Sequence, residues 1–358
     1  MIKKRIEKLR ERMKLDGLDV MLITSYENYR YFSGFCGSNC VLLISDSELT
    51  ALTDGRYTTQ IKEQAPDFGH IIIEKSMTEH ICSLLSDYSN PRVGYETHDV
   101  RDFQIRALRE RADFAEFVPE PDFGAEIRSV KTFEEAENIR RAAAIADCAF
   151  ASLTENLKSG MTEREAAALL EYEMARGGSL HPAFETIAAS GVRSAMPHAV
   201  PSDAPICDNS LMTFDFGACF NGYMSDITRT VFIGNVPKKL CELWDAVFEV
   251  QRECVKKVCA GVLCSDLNDF QLDLFASYGL EKLVMHSLGH GVGLAIHELP
   301  NVSRSSKTVL CEDMVITIEP GLYIEGLGGV RIEDTVIVKN DGAEIITKSP
   351  YRYNITLG

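Results

Sequence analysis

The sequence predicts a two-domain protein, with an α/β domain over residues 1–125 and an α+β domain over residues 126–358. In the first third of the chain, short apolar runs alternate with helical patterns, which is typical of an α/β domain. A stretch with two prolines and a glycine, VPEPDFG at 118–124, predicts a linker. Beyond it, two strand-rich stretches flank a helical block near 238–279, which indicates an α+β arrangement.

The N-terminal elements follow from hydrophobic spacing. Ile6, Leu9 and Met13 recur at helical intervals among charged residues, so residues 2–16 are predicted to form a helix with one apolar face. In chain order, the predicted strands are DVMLITS, CVLLISD, ELTALTD, HIIIEKS and RVGYE. Two further helices are predicted from EHICSLLSDY and RDFQIRALRERADF.

Two capping boxes predict the first helices of the second domain. Thr132 is followed three residues later by Glu135, and Thr162 by Glu165, each ahead of an alanine-rich run. The two strand-rich stretches that follow resemble each other, since each has a histidine and then two strands that each bear one acid. An internal duplication is therefore a hypothesis.

Composition and charge exclude several classes of protein. The chain has 358 residues, 45% of them hydrophobic, which excludes a disordered or fibrous protein. Its 53 acidic and 37 basic residues give a net charge of −16, so nucleic acid and anionic membranes are poor partners. No apolar run approaches the ~20 residues of a membrane helix, and no secretory signal is expected. The 11 cysteines form no CxxC pair, which favours reduced thiols and a cytoplasmic location.

A predicted hairpin brings two acids together within the stretch LMTFDFGACFNGYMSDITRTVF at 211–232. Asn221-Gly222 is a strong two-residue turn signal. With that turn, Asp215 and Asp226 lie on the same face, about 7–8 Å apart between backbones. Thr213, Thr228 and Thr230 share that face. Two buried like charges are unfavourable unless a cation or a proton lies between them.

A second strand pair repeats the pattern. Glu319 ends the run VITIEPG, and Glu333 lies in GGVRIEDTVIV, where strand alternation places it on the same face as Arg331. Three histidines fall in HSLGHGVGLAIHE at 286–298, and one precedes the first hairpin; they are His286, His290, His297 and His198. Glycines on both sides of His290 allow a close backbone approach, as at a crowded site.

Four carboxylates and one imidazole form a ligand set for two divalent cations that share bridging carboxylates. Such oxygen-rich ligation favours Mn²⁺, or Co²⁺ and Zn²⁺ by availability, over a thiolate zinc site. Two adjacent ions activate a bridging water and clamp a carbonyl during hydrolysis. The pattern therefore predicts a hydrolase.

These motifs resemble those of the Xaa-Pro peptidases, the aminopeptidase P and prolidase branch of the methionine-aminopeptidase-like metallopeptidases. SYENYRYFSGFCGSN and TDGRYTTQ resemble the creatinase/prolidase N-terminal domain. FETIAASGVRSAMPHA, DFGACFNGYMSDITRT, HSLGHGVGLAIHELP, TIEPGLY and GGVRIED resemble the catalytic domain. The resemblance covers nearly the whole chain and implies a pita-bread fold for the second domain.

The resemblance also implies a role for each residue. Asp215 would chelate one metal, Asp226 and Glu333 would bridge both, and His290 and Glu319 would complete the second. Glu319 is also the implied base toward the bridging water. The resemblance further implies that His198 and His297 stabilise the tetrahedral intermediate. Both would also bind the substrate, together with His286 and Tyr323. Arg331 would anchor charge beside Glu333.

The resemblance implies an Xaa-Pro aminopeptidase that uses a metal-bridging hydroxide and acts on proline-containing peptides. A strict Xaa-Pro dipeptidase is the alternative, because the sequence does not separate the two. A general or methionine aminopeptidase is disfavoured by the N-terminal domain, and a non-catalytic binding protein by retention of all five implied ligands. A homodimer is expected by resemblance only.

Overall fold

The computed structural model describes residues 2–357. The chain divides into two compact units, an N-terminal unit, Met1–Arg128, and a C-terminal unit, Ser129–Gly358. The first is an α/β unit and the second an α+β unit, so both predicted fold classes are confirmed. The domain bounds given from the sequence remain a prediction.

The N-terminal unit is built on a mixed six-stranded sheet in the order β4-β3-β2-β1-β5-β6. Its strands are β1 (Val20–Ile23), β2 (Val41–Ser45), β3 (Leu49–Asp54), β4 (Gly69–Ile73), β5 (Arg92–Glu96) and β6 (Glu116–Glu120). Its helices are α1 (Ile2–Asp16), α2 (Tyr26–Ser33), α3 (Thr58–Gln64), α4 (Met77–Leu85), α5 (Asp102–Arg111) and α6 (Ala125–Ser129). All five predicted strands and the three predicted helices are present.

The predicted linker is partly wrong, because its first residues belong to β6. This strand runs parallel to β5 at the sheet edge, where Pro119 lies opposite Tyr95. A proline lacks the N–H of a ladder hydrogen bond, but an edge strand tolerates it. Helix α2 was not predicted from the sequence, since its buried face includes the polar residue Asn28.

The C-terminal unit contains two larger sheets and two small hairpins. Its helices are α7 (Phe133–Asn156), α8 (Glu163–Arg176), α9 (Lys238–Lys257) and α10 (Cys264–Ser277). Its first strands are β7 (Ile187–Ser190), β8 (Ser210–Phe216), β9 (Cys219–Phe220), β10 (Tyr223–Met224) and β11 (Ile227–Ile233). The later strands are β12 (Gly289–Gly291), β13 (Glu298–Val302), β14 (Val315–Ile318), β15 (Gly321–Ile324), β16 (Gly328–Arg331), β17 (Asp334–Lys339), β18 (Gly342–Ile345) and β19 (Asn354–Ile355).

Each larger sheet of this unit is covered by a pair of helices. The sheet β19-β11-β8-β7 packs Phe214 and Phe216 against Phe150 of α7, and α8 joins the same core. The sheet β13-β12-β14-β17-β18 shares its core with α9 and α10. Both capping boxes are present at α7 and α8, as the sequence predicts. Within residues 2–357, no helix has the length and apolar character needed to cross a bilayer.

The register of the acidic hairpin is the one predicted from its turn. Asn221 and Gly222 have φ of 50° and 80°, which fits a type I′ turn. Along the strands, Asp215 of β8 lies opposite Thr228 of β11. Asp215 and the residue before β11, Asp226, therefore share one face, while the phenylalanines of β8 enter the helix-covered core.

We expect Gly217→Ala to disrupt this hairpin. A Cβ at Gly217 would lie 1.9 Å from the backbone oxygen of Ser225, so the two strands must separate. Overpacking of this kind lowers the free energy of unfolding by about 1–3 kcal/mol, measured by denaturant titration. Gly342→Ala is the matched control, because nothing lies within 4 Å of its added Cβ. Equal destabilisation by both variants would contradict the close contact.

Candidate metal centre

A cavity of about 510 Å³ in the C-terminal unit, here called the acidic cavity, collects the residues that the sequence singled out. Its wall includes all five implied ligands, Asp215, Asp226, His290, Glu319 and Glu333. It also includes His198, His286, His297 and Arg331, beside the apolar side chains of Phe184, Ile187, Val200 and Ile296.

Two antiparallel strand pairs deliver the four acids to one place. In the first pair, β8 carries Asp215 and Asp226 precedes β11; in the second, Glu319 follows β14 and Glu333 precedes β17. His290, on β12, joins them, with its Nε2 3.5 Å from Asp226 Oδ2 and 3.4 Å from Glu319 Oε1. One ligand atom each of Asp226, His290 and Glu333 lies within 4.8 Å of the others.

Hydrogen bonds hold two of these carboxylates from behind. Thr228 Oγ1 donates to Glu333 Oε2 at 2.8 Å, and Thr317 Oγ1 donates to Glu319 Oε1 at 3.4 Å. The hairpin pattern predicts Thr228 on this face, but Thr317 was not predicted there. The signal was present, since Thr317 of β14 lies two residues before Glu319, which directly follows that strand, and so shares its face.

Two carboxylate oxygens in the acidic cavity lack a partner. Oδ1 of Asp215 and Oδ1 of Asp226 are buried and accept no hydrogen bond within the described part of the chain. A buried carboxylate oxygen with no donor is costly, so each such atom calls for an explanation. A bound cation would supply the missing partner, and carboxylates with one imidazole suit a divalent metal ion.

The electrostatics of the cavity lead to the same conclusion. Burial and the neighbouring charges of Glu333, Asp215 and Glu319 raise the pKa of Asp226 well above its usual range. Burial, with the charges of Glu319 and Asp215, does the same to the pKa of Glu333. Burial raises the pKa of Glu319 to about 8. These carboxylates are therefore unfavourable as anions until a cation joins them.

The histidine beside them is held in its neutral form. Burial, followed by the nearby charge of His297, lowers the pKa of His290 to about 4. A neutral imidazole is the form that binds a metal ion. The donor set therefore fits divalent cations in both charge and atom type.

Arg331 contacts Asp215 rather than the carboxylate of Glu333. Its NH2 group donates to Asp215 Oδ2 at 2.6 Å, and its Nε donates to Thr228 Oγ1 at 3.1 Å. Thr228 in turn donates to Glu333, so the guanidinium is linked to that acid through the threonine hydroxyl. The direct ion pair of Arg331 is therefore with Asp215, and its implied role of anchoring charge beside Glu333 stays a prediction.

Tyr323 supports the cavity wall from behind. It is 2% exposed, and its hydroxyl accepts from Arg331 NH1 at 2.8 Å and lies 2.8 Å from His286 Nε2. Tyr323 is not part of the wall of the acidic cavity, where the resemblance placed it. Burial lowers the pKa of His286 to about 4, so the ring is neutral where it faces the cavity.

The two remaining histidines are exposed at the cavity. The ring of His297 is 4.3 Å from that of His290, centroid to centroid, on the segment that precedes β13. His198 lies on the loop between β7 and β8. Both have room to meet a ligand in the cavity, as the resemblance implies.

The N-terminal unit contains a second group with metal-ligating atoms within 4.8 Å, formed by Glu96, His98 and Asp122. Here the charges already have partners. Glu96 accepts from the backbone N–H of Thr24 at 2.6 Å and of Ser25 at 2.8 Å. The NH2 group of Arg128 lies 3.3 Å from Oδ2 of Asp122, so the charge of this carboxylate is paired with a guanidinium. This group lacks the unsatisfied carboxylate oxygens of the acidic cavity.

Comparison with known proteins assigns both parts of the chain. The model of metallopeptidase family M24 matches residues 137–340, and the model of the creatinase/prolidase N-terminal domain matches residues 5–130. A protein from Pyrococcus furiosus named Xaa-Pro dipeptidase is 38% identical, over 97% of this chain and 99% of its own length.

Solved structures with these names share the whole architecture. An Xaa-Pro dipeptidase from Bacillus anthracis has a TM-score of 0.96 at 36% identity and covers all of both chains. An X-Pro aminopeptidase from Thermotoga maritima has a TM-score of 0.89 at 34% identity, covering 97% of this chain and all of its own. The predicted resemblance and its two-domain pita-bread fold are thus confirmed. The chain belongs to metallopeptidase family M24 and carries a creatinase/prolidase N-terminal domain.

Proposed function

We propose that this metallopeptidase hydrolyses the bond between an N-terminal residue and a following proline. The observation that carries the proposal is the convergence of four carboxylates and a neutral histidine in the acidic cavity. The names of the relatives from P. furiosus, B. anthracis and T. maritima support the Xaa-Pro bond as the substrate. That bond has no N–H, so it needs a dedicated site.

In this proposal, five residues hold two divalent cations. Asp215 would hold one ion, Asp226 and Glu333 would be shared between the two, and His290 and Glu319 would complete the second. When bound, the two ions would supply Lewis acidity toward the scissile carbonyl and would lower the pKa of a water. We propose Mn²⁺, with Co²⁺ or Zn²⁺ as substitutes, because carboxylate and imidazole ligands accept all three.

The remaining side chains then bind and orient the substrate. Glu319 takes the proton of the attacking water, because its carboxylate lines the cavity beside His290. His198 and His297 donate toward the oxyanion that develops on the carbonyl. His286, fixed by Tyr323, contacts the substrate, and Arg331 keeps Asp215 in place.

Two exopeptidase activities remain as candidates. The resemblance implies an Xaa-Pro aminopeptidase, which accepts longer peptides, with a strict Xaa-Pro dipeptidase as the alternative that the sequence does not separate from it. The relatives at 38% and 36% identity are named dipeptidases, whereas the one at 34% is named an aminopeptidase. The dipeptidase activity is therefore the better supported of the two.

We further propose a cytoplasmic homodimer. The cytoplasmic location is supported by eleven cysteines that are all free thiols in the structure, as expected in a reducing compartment. The dimer is supported only by the resemblance to this family.

Release of amino acids from Ala-Pro and Ala-Pro-Ala, measured side by side, tests the activity. We expect no cleavage in chelator and cleavage of Ala-Pro after Mn²⁺ is restored, because the donor set must hold the cations. Cleavage of Ala-Pro-Ala as well would identify an aminopeptidase. Glu333→Gln is the control against a contaminating peptidase and should be inactive. No cleavage of either peptide by the Mn²⁺-loaded protein would refute the proposal.

We also expect the chelated protein to lose stability as the pH rises from 6.5 to 8. The folded pKa of Glu319, about 8, exceeds its ordinary value of 4.5, so the folded chain binds more protons than the unfolded chain in this range. Stability therefore falls with rising pH, by up to about 2 kcal/mol for one such carboxylate. His286 and His290, whose folded pKa values are lowered to about 4, oppose this decrease until their unfolded forms have lost their protons, about one pH unit above the ordinary value of 6.5. The net decrease is therefore smaller than that of the carboxylate alone.

The measurement is the melting temperature of the chelated protein at both pH values. Added Mn²⁺ should remove most of the decrease, because the cation replaces the protons. Glu319→Gln in chelator should show a smaller decrease than the unaltered chain. A melting temperature that stays constant or rises between the two pH values would contradict the assignment.

A further inference from the structure

The segment that carries His198 forms one side of the acidic cavity. It runs from the end of β7 at Ser190 to Ser202 and is called the His198 loop below. Its cavity-facing residues are Pro197, His198, Ala199, Val200 and Pro201. Ala199 packs with Ile187 and Ala189, whereas His198 and Val200 on either side of it are exposed, so packing holds this part of the loop at a single small side chain.

Glu163 joins the two ends of the His198 loop. Its Oε1 accepts from the backbone N–H of Ser190 at 2.8 Å. Its Oε2 accepts from the backbone N–H of Ser202 at 3.0 Å and from the Ser202 hydroxyl at 2.7 Å. The carboxylate sits at the start of α8, has 0% side-chain exposure and is not part of the cavity wall.

Arg193 extends this contact to the middle of the loop. Its Nε donates to Glu163 Oε2 at 2.8 Å, and its NH2 donates to the backbone oxygen of Val200 at 2.7 Å. On the cavity side, Arg331 NH1 donates to the backbone oxygen of Pro197 at 3.2 Å. His198 thus lies between two backbone carbonyls that are each held by a guanidinium.

A buried carboxylate is costly unless its hydrogen bonds are complete, and here every donor comes from the His198 loop. Charge-assisted bonds of this kind are strong and directional. We propose that Glu163 is a positioning residue for His198 and that it acts through Arg193 and both loop ends. This inference rests on the proposed role of His198 in binding the substrate carbonyl. Glu163 itself touches neither substrate nor metal ligand.

The test is a double-mutant cycle between Glu163→Gln and His198→Ala in the Mn²⁺-loaded protein. Glu163→Gln keeps the shape but removes the charge that holds Arg193, so we expect kcat/KM for Ala-Pro to fall about tenfold. In the His198→Ala background, Glu163→Gln should lower kcat/KM by less than about twofold, because the imidazole that Glu163 positions is absent. Metal content should stay at the unaltered level. Glu155→Gln, an exposed carboxylate on α7, is the control and should be neutral.

Amide hydrogen exchange gives a readout that does not depend on activity. Glu163→Gln should raise exchange within residues 190–202 and leave the rest of α8 protected. If Glu163→Gln fails to fold, Arg193→Gln breaks the same contact at a partly exposed side chain and should give the same pattern. Inactivity of the unaltered protein would refute the proposed function, and exchange would still test the loop.

Three results would overturn the positioning role. One is an equal loss of kcat/KM on Glu163→Gln in the presence and absence of the His198 side chain, which would show that Glu163 does not act through His198. Another is unaltered kcat/KM in Glu163→Gln. The third is increased exchange that spreads through the C-terminal unit or is absent from the His198 loop.

Discussion

Four carboxylates line the acidic cavity of this protein, and their burial side by side is unfavourable. The contacts around the cavity act against this repulsion. Like charges that are buried close together in a low-dielectric interior repel strongly. Among the described residues, the cavity wall has the guanidinium of Arg331 as its permanent cation, and this group pairs with Asp215. One oxygen of Asp215 and one of Asp226 remain without a donor in residues 2–357, so this single guanidinium does not satisfy the site. Divalent cations, as proposed, would complete it.

The strands that carry the acids are also joined on their other face. Arg229 lies on β11 beside Thr228, and Asp334 follows Glu333 at the start of β17. The Arg229 guanidinium donates to Asp334 Oδ1 at 2.8 Å and to the backbone oxygen of Glu333. Asp334 also accepts from Gln251 of α9 at 2.6 Å. This buried ion pair links the two sheets directly behind the acids of the cavity, so the acids stay in register while their charges repel.

The sequence predicts which acids share a face, because residues close in sequence determine that arrangement. An Asn221-Gly222 turn and a period of two fix which side chains of the hairpin share a face, and the structure has that register. The same period relates Arg331 to Glu333. Contacts between distant segments leave no such signal. Examples are the ion pair of Arg331 with Asp215, and the carboxylate of Glu163, which reaches a loop that ends almost forty residues later.

Anomalous diffraction from a crystal of the Mn²⁺-loaded protein tests the central claim most directly. We expect two manganese peaks in the acidic cavity, both in contact with Asp226 and Glu333. Asp215 should bind one of them, and His290 and Glu319 the other. A single peak in the cavity, or manganese bound only at Glu96, His98 and Asp122, would contradict it.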